Sequence, residues 1–129
     1  MKGIANLLNF IKTGLKLSAR VIIHKKAPKH LSLVLNSLYR EGYIQSYKYD
    51  KNKNTFVIFL RYTRQGKTTL KHVRIFSQKE SLLTVFKLKH LWLFSRGTGG
   101  LFISTKRGVL SHREALNQGV GGQALFYIS

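Results

Sequence analysis

Leu101-Phe102-Ile103-Ser104-Thr105-Lys106-Arg107-Gly108-Val109-Leu110-Ser111-His112-Arg113-Glu114-Ala115 reads as a small supersecondary unit with its punctuation in place. The apolar run ends in two hydroxyls, Ser104 and Thr105. A basic turn of Lys106, Arg107 and Gly108 follows, with Gly108 free to take positive φ. Val109 and Leu110 resume a strand. Ser111 and Glu114 have capping-box spacing: the Ser oxygen can accept from the Glu114 amide while the Glu carboxylate reaches back. The short helix so opened passes Leu116 and Asn117 and stops at Gly119, a natural left-handed cap. Gly121 and Gly122 then turn the chain into a last apolar strand, Ala124 to Ile128. The order is strand, turn, strand, helix, strand.

Outward from this stretch, Arg96-Gly97-Thr98-Gly99-Gly100 is a loop, His90 to Phe94 an apolar knot around Trp92, and Leu82 to Leu88 a strand. Ser77 to Ser81 marks a boundary between two subdomains. Upstream of it the pattern has period two, with strands at Tyr43 to Tyr49, Thr55 to Tyr62 and around Leu70 to Ile75. Asp50 to Asn54 and Gln65-Gly66 are the turns between them. Ala19, Val21 and Ile23 alternate with Arg20, Ile22 and His24 in an earlier strand. Two helical stripes complete the half: Ile4, Leu7, Leu8, Ile11 and Leu15, with Gly14 as the expected stop, and Leu31, Val34, Leu35 and Leu38, opened by Pro28 and ended by Gly42. The reading is an α+β fold of two small subdomains. Residues 1–76 form an α-β-α-β-β(-β) unit, and residues 77–129 form a mostly β unit with a short helix.

The charge is the strongest compositional fact. The chain of 129 residues has 23 Lys and Arg against 4 Asp and Glu, a formal net charge of +19. Self-repulsion of that size works against compaction, so a polyanionic partner is implied, nucleic acid first and an anionic membrane second. Apolar residues make up 43%, enough for a core, and the apolar runs are too short and broken to span a bilayer. There is no cysteine, hence no disulfide framework and no thiolate metal site.

Catalytic chemistry has little material. Of the four acids, Glu114 serves a cap, Asp50 a turn, Glu41 ends a helix and Glu80 stands apart, so paired-carboxylate catalysis is not expected. His24, His30, His72, His90 and His112 fall in different elements without ligand spacing. Ser111 and His112 are adjacent, which points their side chains apart and gives no triad. Neither glycine loop has the Lys-Ser/Thr ending or the following helix of a phosphate-binding loop. No enzyme, metal, cofactor or small-molecule substrate is expected. RNA binding suits the inventory: Lys and Arg for phosphates, and short hydroxyls beside glycines for bases and 2′-hydroxyls.

Read together, these residues resemble the small-subunit ribosomal protein eight family of the bacterial and organellar type. Its C-terminal signature runs Ser-Thr-Ser-Lys-Gly-Val-Met-Thr-Asp-Arg-Glu-Ala, then Gly-Leu-Gly-Gly-Glu. Here it stands as Ser104 to Ala115 and Gly119 to Gln123, with order and spacing kept. Ile4 to Gly14 resembles the family's first helix, Ile-Ala-Asp-Met-Leu-Thr-Arg-Ile-Arg-Asn-Gly. Arg40-Glu41-Gly42-Tyr43-Ile44 and Leu60-Arg61-Tyr62 with Gln65-Gly66-Lys67 continue the match.

The resemblance implies a primary binder of small-subunit rRNA that holds a helix of its central domain and supports assembly, beside neighbouring small-subunit ribosomal proteins. It implicates Ser104, Thr105, Gly108, Gly121 and Gly122, with Lys106, Arg107 and Gln123 around them and Phe86-Lys87 where the family has Tyr-Lys. Lys106 departs from a Ser and Gln123 from a Glu. Ser77-Gln78-Lys79-Glu80 departs from Ser-Lys-Pro-Gly, so a rigid turn is lost. Because the first-helix match begins almost at Met1, the basic N-terminal segment is expected to be mature structure, not a leader. The low acid count and a Tyr- and Phe-rich composition suggest a mitochondrial ribosome, with plastid or bacterial cytoplasm as alternatives. The competing reading is a basic peripheral membrane or interaction protein without a specific RNA site.

Overall fold

Apolar stripes at helical spacing need a sheet to cover, and the first unit supplies one. The computed structural model describes residues 3–66, 70, 72–76, 82–83 and 100–128. The chain divides into two compact units, Met1–Lys71 and His72–Ser129. The fold is α+β in both.

The first unit contains α1 (Ile4–Lys16), β1 (Val21–His24), α2 (Leu31–Arg40), β2 (Ile44–Asp50) and β3 (Thr55–Leu60). Its three strands form an antiparallel sheet in the order β1-β3-β2. Leu7, Leu8 and Ile11 of α1 and Leu31, Val34, Leu35 and Leu38 of α2 are fully buried, with Phe56 and Ile58 of β3. Burying each large apolar side chain contributes about 1.5–3 kcal/mol, which is what holds two short helices in place. Pro28 opens the approach to α2 through tight turns: the amides of Leu31, Ser32 and Leu33 donate to the carbonyls three residues back, at 3.1 Å each. Gly42 follows α2 with φ +80°, the left-handed stop its position predicts.

Gly14 does something other than stop its helix. α1 continues to Lys16, and Gly14 is buried in its last turn. A Cβ there would lie 2.7 Å from Ile22 Cγ2 and 3.1 Å from Leu60 Cδ1. The residue is small because the helix presses on the sheet at that point, and the chain leaves the helix after Lys16 through Ser18, at φ +56°.

The second unit contains β4 (Val73–Ile75), β5 (Leu82–Leu83), β6 (Gly100–Thr105), β7 (Gly108–Ser111), α3 (His112–Gln118) and β8 (Gly122–Ile128). Its sheet has the order β4-β8-β6-β7, with β5 also pairing β8. The strand expected to close the first unit's sheet is β4, and it pairs instead with β8: Val73 opposite Ile128, Arg74 opposite Tyr127, Ile75 opposite Phe126. Short strands are placed by long-range partners, and β8 is the apolar edge available to it. On one face of this sheet Leu101, Ile103, Leu110 and Ala124 bury against Ala115 of α3, with Leu116, Val120 and Tyr127 packed around them. On the other, Phe102 and Phe126 stack with ring centroids 4.7 Å apart.

Candidate nucleic-acid interface

The capping box at the start of α3 forms as its spacing predicts. Glu114 N donates to Ser111 Oγ and Ser111 N donates to Glu114 Oε1, both at 3.3 Å. Gly119 closes the helix at φ +67°. His112 is buried, and its Nδ1 accepts from the Leu101 amide at 3.1 Å, which ties α3 to the first residues of β6 and puts the imidazole proton on Nε2. These local bonds hold the hairpin of β6 and β7 at a set angle to the helix.

At the far end of that hairpin, Thr105 pairs with Gly108 and leaves Lys106 and Arg107 as the two turn residues, both exposed. Gly108 has φ +109°, a conformation that L residues avoid. The Thr105 hydroxyl is engaged twice inside the turn. It donates to the Gly108 carbonyl at 2.9 Å and accepts from the Arg107 amide at 3.1 Å. Arg107 Nη1 also donates to Gln118 Oε1 at 3.2 Å, so its guanidinium is oriented by the last residue of α3.

Ser104 sits one residue further in, between Val109 of β7 and Gln123 of β8. Its hydroxyl makes no hydrogen bond within the described residues. Gly122 touches the same place from β8. A Cβ on Gly122 would stand 2.1 Å from the Ser104 carbonyl oxygen and 2.9 Å from its carbon. Only a glycine lets the two backbones approach so closely. Residues from three strands therefore share one end of the sheet: Ser104, Thr105, Lys106, Arg107, Gly108, Gly122 and Gln123, with Gly121 leading in. Phe86 and Lys87 lie outside the described residues.

The arrangement separates two roles that the residue types alone left merged. Thr105 orders the turn, whereas Ser104 presents a hydroxyl. Lys106 and Arg107 put two cations at the tip. Gln118 gave no signal in the sequence, because an amide at a helix end has many possible partners. The structural reason for Gly122 also depends on a contact with a strand far back in the chain. Among the described residues no group of three or more His, Asp or Glu could hold a metal ion, and no helix is long and apolar enough to cross a membrane.

The chain matches the protein family described as Ribosomal protein S8 over residues 2–129. It belongs to that family. A small ribosomal subunit protein uS8 of Malacoplasma penetrans is 32% identical, covering 99% of this chain and 98% of its own. The protein of the same name from Coxiella burnetii is 32% identical over 98% of this chain and 96% of its own. Small ribosomal subunit protein uS8c of Anthoceros angustus is 31% identical over 97% and 96%. Membership in the ribosomal protein S8 family implies a structural component of the small ribosomal subunit.

Proposed function

We propose that this ribosomal protein S8 family member is a non-catalytic component of the small subunit that binds a helix of the rRNA central domain through the β6–β7 end of its second unit, and so supports assembly. The observation that carries the reading is the convergence of Ser104, the ordered basic turn and Gly122 at one sheet end. The close β6–β8 approach that Gly122 permits fixes the backbone of Ser104 against β8. Lys106 and Arg107 neutralise phosphates, and each such contact releases counterions. Ser104, with Gln123 opposite, is placed to bond bases or 2′-hydroxyls of an irregular helix. With Lys in place of Ser at 106, more of the binding is electrostatic and less is base readout.

Replacing Ser104 with Ala tests this directly, because Thr105→Ala would also loosen the turn. The Ser104→Ala protein should keep its affinity for a scrambled RNA hairpin and lose about 1–3 kcal/mol on the cognate helix. Equal losses on both hairpins would show that the hydroxyl is not the reader. Chemical footprinting of small-subunit rRNA supplies the second arm, where protection spread evenly over all helices would remove the specific site. The bacterial and plastid relatives support a ribosome of the bacterial type. The mitochondrial location is the finer proposal, and it rests on the presence of only 4 acids and on 6 Tyr and 8 Phe. Recovery of the protein from cytosolic or free-living bacterial ribosomes would overturn it.

A further inference from the structure

The sheet of the first unit has two faces, and its helices cover one. The covered face carries Ile22, Ile58 and Leu60, with Gly14 of α1 in contact range of Ile22 and Leu60. The opposite face carries two rows: Val21, Phe59 and Ser46, then Ile23, Val57 and Lys48. The helices pack on the other side, and Ile23 lines a shallow cleft at the sheet edge with Asn6, Asn9 and Phe10 of α1. Val21 is 45% and Ile23 50% exposed, on a strand at the sheet edge. The surrounding charge is mostly positive. Arg20 precedes Val21, Lys25 follows His24, and Arg61 follows β3, all exposed; Lys48 stands over the Phe59 ring at 5.9 Å. The acid near this surface, Asp50, is at the far end of β2 and accepts from the Asn52 amide at 3.0 Å.

We propose that this open face docks a neighbouring protein whose contact surface is apolar at its centre and bears Asp or Glu at its edge. The proposal rests on the reading of the chain as a ribosomal component, which supplies the neighbour, and it concerns a surface that reading does not use. Nucleic acid is a poor occupant. The cations stand at the rim, and a phosphate laid over the centre, on Val21 and Ile23, would lose water with no donor beneath it. The single aromatic ring among the six residues, Phe59, is half-buried and already has Lys48 over it, which leaves little for a base to stack on. A second copy is excluded by charge, since it would set two cationic rims against each other. Aliphatic centre and cationic rim together call for a partner with the complementary pattern.

The test uses the full chain in assembled small subunits, with a benzophenone-bearing residue in place of Ile23 and, as a control, in place of Asn52 in the exposed β2–β3 turn. After irradiation, ribonuclease and protease digestion, mass spectrometry identifies what is attached. The expected product joins position 23 to a protein segment with apolar residues and carboxylates side by side. Attachment to an rRNA nucleotide, to a second copy of the chain, or yield no higher than at position 52 would overturn the docking face. Ile23→Glu gives an independent readout. It should lower occupancy in salt-washed subunits by roughly tenfold, through lost apolar contact and like-charge repulsion. Affinity for the isolated rRNA helix should stay within about twofold, and unchanged occupancy would sink the proposal. Absence of the wild-type chain from subunits would remove the ribosomal reading as well, whereas a cross-link to RNA removes the docking face alone.

Discussion

The two units use glycine against different kinds of neighbour. Gly14 in the first makes room for methyl groups, those of Ile22 and Leu60. Gly122 in the second makes room for main chain, the Ser104 carbonyl. A side chain can rotate away from an added methyl at modest cost. A carbonyl held in a paired strand can move only if the strand moves. The first unit is thus positioned by packing and the second by backbone register.

Gly122→Ala tests the stricter half of that contrast and should have the largest effect. The overlap with main chain falls at or beyond the upper end of the ~1–3 kcal/mol seen for overpacking, and the urea midpoint should drop accordingly. Binding to the cognate RNA helix should weaken beyond what the stability loss explains, because Ser104 shifts with its strand. An unchanged midpoint would mean that β6 and β8 are not held in this register.

Gly14→Ala is the matching change in the first unit and should cost less. Overpacking of about 1–3 kcal/mol is offset by about 1 kcal/mol of gained helix propensity. Combining it with Ile22→Ala, which removes the methyl in the way, should cost less than the sum of the single changes. Strict additivity in urea titrations would show that the helix does not press on Ile22.

Ser111→Ala removes the cap of α3 and should destabilise by about 1 kcal/mol. It also loosens the helix that carries Gln118, so affinity for all RNAs should fall slightly through Arg107. Thermal melts and RNA titrations on the same variant separate the two effects.

The smallest effect concerns pH and belongs to the first unit. Burial lowers the pKa of His24, whose ring packs 5.4 Å from Phe10. The native state therefore binds fewer protons than the unfolded chain. Its stability is fully present above the ordinary histidine range and is lost as pH falls through about 6.5 toward the lowered native value. Wild type should lose midpoint between pH 7.5 and 5.5 more steeply than His24→Gln. Parallel pH profiles would show that His24 is not the group responsible.

Both helical stripes, the capping box, the basic turn with Gly108 and the glycine stops at positions 42 and 119 were legible before any coordinates, because each is written in neighbours a few residues apart. Turn chemistry and caps are properties of local backbone, and they survive whatever the rest of the chain does. The family was legible for the same reason, since its signature is a run of such local features. Tertiary structure decided what depends on distant partners. Ala19, Val21 and Ile23 alternate with Arg20, Ile22 and His24 as a half-buried strand would, yet the helices cover Ile22 and leave Val21 and Ile23 exposed. The segment around Leu70 to Ile75 reads as a third strand of the first unit, but pairing with β8 draws Val73–Ile75 into the second. Ser104 and Thr105 are chemically alike and adjacent, yet the Gly108 carbonyl and the Arg107 amide take up one hydroxyl and leave the other. A chain can state its own turns, but the side of a strand that meets water is settled by what arrives to cover the other.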